Sequence, residues 1–287
     1  MAADLCSILF PVDFSIRCEL AAPHVKTWAE KLSAQLKTLH IVDPEEVGYS
    51  DERDYEVISD LIVRRTADLK YFADHYLGKN VGQHTVVRGD ARAQIESVAK
   101  QEKIDLIMLP RTHQSIGSRL MHDSLTATIL ENSTASLWVT EHVEALNKLS
   151  INRILCAVHF EQDLMLDSQN SRMLQRVLAL AKAFRAEVTF LNVLDKQEEE
   201  TTGRPADASS SSGIEPWLIQ AREQFGNAAE FLRLKGDVVS TIADITNQKA
   251  ADLVVVGRTR PGTLGLGVQG RILEIDHAAR RPILSVW

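Results

Sequence analysis

The sequence predicts two α/β domains in tandem, each with a doubly wound parallel sheet. The first observation is an internal repeat, in which Gly89 and Asp105 recur as Gly236 and Asp252, each 147 residues later within segments of similar sequence. A single period of this length indicates two copies of a whole domain, because solenoid repeats span only roughly 20–50 residues. The second observation is that short apolar runs alternate with longer helical segments in both copies. This alternation is typical of parallel strands joined by right-handed crossovers.

The first strand of each copy is expected in a short apolar run, at 8–12 and at 154–158. Runs of this length, bounded by polar residues, suit strands that are buried on both faces of a sheet. A helix is predicted next, because apolar residues recur at spacings of three and four. These residues are Leu20, Ala21, His24, Trp28, Leu32 and Leu36 in the first copy, and Leu174, Val177, Leu178, Ala181 and Phe184 in the second.

The remaining elements of each copy repeat the alternation. Second strands are expected at 36–42 and 188–193, followed by a helix, a short strand and another helix. A further strand follows each repeated aspartate, and a last helix leads to final strands at 135–139 and 283–287. The pattern therefore predicts five strands in each copy.

The boundary between the domains is expected in the polar stretch 141–150, which separates a first domain at 1–143 from a second at 150–287. The one low-complexity segment, 197–213, has almost no apolar content and is expected to be a mobile loop. It is interpreted as a variable surface loop, with a lid or a phosphorylation site as the alternative.

Composition excludes several classes of protein. The 287 residues are 45% hydrophobic and 25% charged, which is typical of a soluble globular protein long enough for two domains. The net charge of −7 argues against a general nucleic-acid or membrane-surface binder, since these usually present a basic face. No apolar run approaches the roughly 20 residues that span a bilayer. Three cysteines without C-x-x-C spacing argue against a zinc ribbon or a disulfide scaffold, and a cytoplasmic location is expected.

A set of short motifs occurs in the same order in both copies. The motifs are residues 8–15, 39–43, 87–90, 105–109 and 118–124 in the first copy, and residues 154–158, 236–237 and 251–257 with the glycine-rich run that follows in the second. Their order and spacing resemble the universal stress protein family in its tandem-domain form. The resemblance implies a Rossmann-like, five-stranded parallel sheet in each domain, with strand order 3-2-1-4-5. It also implies that the domains pair through their fifth strands as an internal pseudo-dimer, and further dimerisation is left open.

The resemblance also implies a test for nucleotide binding. Many family members bind ATP or ADP through a loop written G-x2-G-x9-G-[S/T], whose glycines let backbone N–H groups approach phosphate. In the first copy the glycine positions hold Pro110, His113 and Asp123, and only the hydroxyl of Ser124 is kept. Proline removes a donor, and a carboxylate would repel phosphate. The first domain is therefore predicted to have lost this binding.

The second copy keeps more of the loop, between Gly257 and Arg271. Arginines replace the middle glycine and the hydroxyl residue, so that charge rather than backbone would hold phosphate. The candidate phosphate loop comprises Gly257, Arg258, Arg260, Gly262, Gly270 and Arg271. The alternative is a flexible basic surface loop that binds no ligand.

The resemblance further implies an aspartate after the first strand that contacts adenine or ribose. Asp13 fills this place in the first copy and is the candidate contact, whereas His159 replaces it in the second. His40, on the second strand, is interpreted as structural rather than catalytic. His113 and His122 flank the first loop without ligand spacing, so no metal site is predicted.

Two further groups of residues are assigned structural roles. The tripeptide 88–90 is predicted to be a strand-to-helix turn, with Gly89 supplying an unusual backbone angle and Asp90 capping the next helix. Trp138 and Trp287 lie in the final strands and are expected to contribute to contact between the domains.

The sequence thus favours a non-enzymatic stress-response protein that binds partner proteins of unknown identity. No hydrolase elbow, zinc-protease motif or P-loop occurs, so no catalytic residue and no metal are predicted. Nucleotide binding is expected to be lost in the first domain and weak or lost in the second. The alternative is a sensor that binds ATP, ADP or another anionic small ligand at one phosphate site in the second domain. Neither nucleic acid nor a membrane is expected as a partner.

Overall fold

The computed structural model describes residues 5–43, 55–78, 81–111, 125–143, 146, 148–158, 164–194, 219–226, 229–258 and 268–287. The chain divides into two compact units. The first unit comprises Leu5–Val139 and Val143–Leu149, and the second unit comprises Thr140–His142 and Ser150–Trp287. The domain boundaries 1–143 and 150–287 remain a prediction.

The first unit contains a sheet with strand order β3-β2-β1-β4-β5. The strands are β1 (Ser7–Pro11), β2 (Gln35–Val42), β3 (Val81–Arg88), β4 (Leu106–Pro110) and β5 (Ser136–Thr140). The helices are α1 (Ile16–Leu32), α2 (Tyr55–Phe72), α3 (Ala91–Gln101) and α4 (Leu125–Asn132), and a π-helical turn (Ala73–Leu77) extends α2. Strand β1 pairs in parallel with β2 and β4, and β2 pairs in parallel with β3.

The second unit repeats this topology as β8-β7-β6-β9-β10. Its strands are β6 (Arg153–Val158), β7 (Glu187–Leu194), β8 (Ala229–Lys235), β9 (Leu253–Gly257) and β10 (Ile283–Val286). Its helices are α5 (Leu164–Phe184), α6 (Val238–Gln248) and α7 (Val268–Ala279), and residues 219–225 are also helical. The pairs β6–β7, β6–β9, β7–β8 and β9–β10 are parallel. The predicted order 3-2-1-4-5 is confirmed in each unit.

One predicted helix extends too far. Leu36 was placed both on the apolar face of the first helix and at the start of the second strand. Helix α1 ends at Leu32, and Leu36 is a buried residue of β2, as the strand prediction had it. The helix stops because Ser33 adopts a left-handed backbone with φ 53°, which turns the chain into the strand. The amide of Ala34 then donates to the carbonyl of Ala29.

The repeated aspartates join the amino ends of neighbouring strands. Oδ2 of Asp105 accepts hydrogen bonds from the backbone N–H groups of Cys6 and Ser7, both at 3.0 Å, and from Oγ of Ser7 at 2.9 Å. Oδ2 of Asp252 accepts from the N–H groups of Asn152 at 2.8 Å and Arg153 at 3.1 Å. In each unit the carboxylate therefore fixes the fourth strand of the topology beside the first.

The repeated Gly-Asp pairs form strand-to-helix turns. Gly89 has φ +136°, and Oδ1 of Asp90 accepts from the N–H of Ala93 at 2.9 Å, which caps α3 as predicted. In the second unit Oδ1 of Asp237 accepts from the N–H of Ser240 at 2.8 Å and caps α6. The prediction for the tripeptide 88–90 is confirmed.

Apolar side chains fill the space between sheet and helices in each unit. Every residue of β4 and of β10 is buried, which agrees with the apolar runs of the sequence. Trp138 is also buried, and the guanidinium of Arg172 lies 4.5 Å from the ring centre of Trp287. The role of both tryptophans in contact between the domains stays a prediction. Within the described ranges, no helix is both long and apolar enough to span a membrane.

Candidate functional site

Parallel α/β sheets bind ligands at the carboxyl ends of the strands, where the strand order reverses. This place lies between β1 and β4 in the first unit and between β6 and β9 in the second.

Asp13 follows β1 at the carboxyl edge of the first unit and belongs to a local network. Its Oδ1 accepts hydrogen bonds from the backbone N–H of Ser15 at 2.9 Å and from Sγ of Cys18 at 3.1 Å. Arg17 approaches Oδ2 at 3.6 Å. Partial burial raises the pKa of Asp13, but the hydrogen bonds from Ser15 and Cys18 outweigh it, so the pKa lies below its usual range.

The network of Asp13 organises the start of α1. The Asp13 side chain is nevertheless 59% exposed, so a contact with a ligand stays a prediction. Burial raises the pKa of the Cys18 thiol to about 12, so this thiol is a neutral donor to Asp13 near neutral pH.

An aromatic cluster stands beside Asp13. Phe14 has a positive φ of 59°, and its ring centre lies 4.5 Å from that of His40 and 6.2 Å from that of Phe72. The guanidinium carbon of Arg65 is 5.6 Å from the Phe14 ring centre. The chain's own side chains therefore occupy the space next to the ends of β1 and β2.

His40 anchors the end of β1. Its Nδ1 lies 2.7 Å from the carbonyl oxygen of Val12, and burial lowers the pKa of His40 below its usual range. A neutral ring with the proton on Nδ1 donates this hydrogen bond. The contact is structural, as the sequence suggested.

The first phosphate loop is only partly described. Pro110 is the last residue of β4, is buried and has no N–H to offer a phosphate. His113, Asp123 and Ser124 lie outside the described residues, as does His122.

The candidate phosphate loop of the second unit is described at its two ends. Gly257 is the last residue of β9, and the N–H of Arg258 donates to the carbonyl of Val286 at 2.8 Å. The residue Arg258 is 2% exposed, and burial lowers its pKa to about 10, which leaves it charged at neutral pH. Arg260 and Gly262 lie outside the described residues.

The other end of this loop lies in the first turn of α7, which contains Gly270 and Arg271. The hydrogen bond from the N–H of Ser240 is the main reason why the pKa of Asp237 lies below its usual range, and the positive charge of Arg271 contributes to this lowering. Arg271 therefore already interacts with a carboxylate of its own chain.

Asn192 is a residue of this edge that the sequence analysis missed. It lies on β7, is buried, and donates from Nδ2 to the carbonyl of Val158 at 3.1 Å. Its Oδ1 is buried and has no hydrogen-bond partner within the part of the chain that the structure describes. The signal was available, since Asn192 occupies the place in the Leu-Asn-Val run that His40 occupies in Leu-His-Ile.

The sequence profile described as the Universal stress protein family matches residues 7–141 and 151–270. The chain belongs to the universal stress protein family. A comparison with curated protein sequences finds no match.

Solved structures share the fold of this universal stress protein over almost the whole chain. A universal stress protein from Archaeoglobus fulgidus DSM 4304 is 13% identical, with 99% of this chain and 97% of that chain covered and a TM-score of 0.72. A putative universal stress protein from Pseudomonas aeruginosa UCBPP-PA14 is 14% identical, with 99% and 94% covered and a TM-score of 0.64. The cytoplasmic domain of a prokaryotic cation chloride cotransporter is 11% identical, with 98% and 94% covered and a TM-score of 0.55. At these sequence identities the structural similarity is evidence for a shared fold and for nothing more.

Proposed function

We propose that this universal stress protein acts in the stress response without catalysis, by binding partner proteins through its surface. Family membership supports the role in the stress response. The observation that carries the rest is that charged groups at the carboxyl edges, which could bind a nucleotide, already interact with other groups of the chain. Asp13 binds the start of α1, and the charge of Arg271 interacts with that of Asp237. A ligand would have to compete with these contacts.

The outer helices of the first unit offer a surface for a partner. Large apolar side chains are exposed at Ile16 and Leu20, one helical turn apart on α1, and at Val63 and Tyr71 on α2. Aromatic and aliphatic side chains of this kind form the centres of protein interfaces. We take these four residues as the contact surface of the proposed function.

Site-specific photocrosslinking tests this surface. A photoreactive amino acid placed at Val63 or Tyr71 of the full chain should yield a protein adduct in stressed cells, identified by mass spectrometry. The matched control is the same amino acid at Arg92, which lies on α3 of the same unit. Adducts of equal yield at all three positions, or none at any, would contradict the proposed surface.

Nucleotide binding is proposed to be lost in the first unit. Buried Pro110 offers no donor at the end of β4, and Phe14 packs against His40 beside the end of β1. Mass spectrometry of the natively purified protein, followed by calorimetric titration with ATP, ADP and AMP, measures any binding. The substitution Asp13→Ala should leave any measured affinity unchanged, and a clear loss would place the nucleotide in the first unit.

A second candidate function is a sensor with one site for an anionic ligand in the second unit. It is favoured by two buried polar groups at the same sheet edge, the charged guanidinium of Arg258 after β9 and the Oδ1 of Asn192 on β7. Strand β6 lies between β9 and β7, so both groups flank the end of the central strand. An arginine and an amide acceptor together suit a phosphorylated ligand that also carries a donor group.

The double substitution Arg258→Ala and Arg260→Ala tests this sensor. Charge-assisted contacts to phosphate contribute about 1.5–3 kcal/mol each, so the affinity for ATP or ADP should fall at least about tenfold. Arg153→Ala is the matched control, because Arg153 lies at the opposite, amino end of β6. Equal affinity of the double variant and wild type would exclude the loop as the site. Absence of binding to wild type leaves partner binding as the function.

A further inference from the structure

Three side chains that typically bind metals converge within the second unit. Glu141 and His142 follow the last residue of β5, and His277 lies in the last turn of α7. One ligand atom from each residue lies within 4.8 Å of the other two. All three residues belong to the second unit, although Glu141 and His277 are 136 residues apart in the chain.

Two residues of the cluster are buried, and the third is partly exposed to solvent. The Glu141 side chain is 2% exposed and His142 is buried, whereas the His277 side chain is 34% exposed. Two ligands are thus held in a region of low polarity, where attraction to a cation is stronger than in water. The third lies at the surface and leaves a path for an ion to enter.

Neighbouring groups hold the two buried residues in place. Oδ1 of Asp276, a residue with no exposed surface, lies 3.4 Å from the backbone nitrogen of Glu141 and accepts its hydrogen bond. Oγ1 of Thr140 accepts from the backbone N–H of His142 at 3.2 Å. The rings of His142 and His277 have centres 6.2 Å apart and planes inclined at 38°, so they are not stacked. These contacts fix the backbone that carries Glu141 and His142.

The spacing of one pair already fits a metal ion. Oε1 of Glu141 and Nδ1 of His277 are 3.3 Å apart. Zinc binds nitrogen and carboxylate oxygen at about 2.0–2.2 Å, which places two ligands of a tetrahedral ion about 3.3–3.5 Å apart. A ring nitrogen of His142 lies within 4.8 Å of a ligand atom of each of the other two residues. Glu141 and His277 therefore stand where two ligands of one ion would stand.

We propose that Glu141, His142 and His277 bind a divalent transition-metal ion of the zinc class. Two imidazole nitrogens and one carboxylate oxygen select zinc-like ions over magnesium and calcium, which prefer oxygen ligands alone. Three protein ligands leave the fourth tetrahedral position to water. The site lies in the chain segment that follows β5 and in α7, outside the candidate phosphate loop, and does not depend on nucleotide binding.

Competition with a chromogenic chelator tests the site on the full, untagged, metal-free chain. Wild type should bind one equivalent of zinc. His277→Gln should lower the zinc affinity at least about tenfold, because even the loss of a supporting group around a metal costs 10–100-fold. His277 is chosen first because it is partly exposed, so its replacement disturbs packing least. Glu141→Gln should lower the affinity in the same way.

The matched control is His75→Gln, since His75 is an exposed histidine in the first unit. Zinc should raise the melting temperature of wild type and of the His75 variant, but not that of the His277 variant, because an ion that binds only the folded chain stabilises it. Magnesium should raise none of them. Cobalt(II) should give the visible spectrum of a tetrahedral site with wild type, but not with His277→Gln or Glu141→Gln.

Three results would overturn the proposal. Wild type that binds no zinc leaves Glu141 and His277 as a hydrogen-bonded pair only. Equal zinc affinity in wild type and His277→Gln assigns the ion to other histidines of the chain. Equal loss in His75→Gln and His277→Gln shows a non-specific effect of removing histidine.

Discussion

In both units a polar side chain of the second strand binds a backbone carbonyl at the end of the first strand, but the side chain differs between the units. In the first unit His40 binds the carbonyl of Val12, the residue that follows β1. In the second unit Asn192 binds the carbonyl of Val158, the last residue of β6. Phe14 packs against His40, whereas Asn192 keeps a buried acceptor without a partner among the described residues. Both side chains thus make the same kind of backbone contact, but their remaining surroundings differ. Copies of one domain can therefore keep the same topology while they differ in what they can bind.

Replacing the aspartates that mark the repeat should have the largest effect on the stability of the two units. Asp105→Ala removes three hydrogen bonds to a carboxylate and should lower the free energy of unfolding of the first unit by about 3 kcal/mol. Asp252→Ala removes two and should cost the second unit about 2 kcal/mol. Hydrogen exchange of peptides from β1 and β6 measures each unit separately, which is needed because two units do not unfold as a single two-state system.

Asp244→Ala is the matched control for the aspartates, because Asp244 is exposed on α6. It should leave exchange in β1 and β6 unchanged. An Asp105 variant whose protection in β1 equals that of wild type would show that the repeated aspartate does not hold the strands together.

The aspartate caps of α3 and α6 are expected to stabilise the two units equally. Asp90 and Asp237 make the same hydrogen bond to the residue three positions later, at 2.9 and 2.8 Å. Asp90→Ala and Asp237→Ala should each destabilise its own unit by about 1 kcal/mol. Urea unfolding followed by hydrogen exchange in α3 and α6 measures the two losses of stability. Asparagine also caps helices, so Asp→Asn at the same positions should retain most of the stability that alanine removes. A difference between the units of more than about 1 kcal/mol would contradict equal caps.

The smallest expected effect is on the pH dependence of stability, and it concerns Asp13 of the first unit. The pKa of Asp13 is held below its usual range, so its ionised form stabilises the folded first unit above the unfolded pKa, and this contribution is lost as pH falls through the folded pKa. Asp13→Asn should therefore cost stability at pH 6, and the cost should shrink as pH falls through the lowered folded pKa of Asp13. The cost at pH 6 should be only about 0.5 kcal/mol, because the side chain is more than half exposed and solvent screens it.

Thermal unfolding of wild type and Asp13→Asn between pH 2 and pH 7 checks this prediction. Asp43→Asn, a change at the end of β2 in the same unit, is the control for a change of net charge. A stability difference that does not change with pH would show that the ionised form of Asp13 has no special role.

Much of the fold was predictable because it depends on short-range patterns. The apolar runs, the helical spacing and the repeated Gly-Asp pairs each act within about ten residues, and the strand order followed from the family resemblance. The helical spacing did not show where α1 ends, because Leu36 continues its apolar pattern although the strand predicted at 36–42 begins there; the structure places the end at the left-handed Ser33. The candidate phosphate loop was chosen by residue type, and the sequence showed neither the burial of Arg258 nor the interaction of Arg271 with Asp237.

The amino-acid sequence alone was sufficient to predict two copies of one α/β domain and the order of their strands and helices, and to show that the first phosphate loop lacks its glycines. These properties depend on periodicity and on residue types at fixed spacing, which the chain displays directly. The folded structure was needed to show that Asn192 has a buried acceptor, that Arg258 is out of solvent, and that Glu141 and His142 lie close to His277. Burial and distance between residues far apart in the chain result from packing, and no local pattern encodes them.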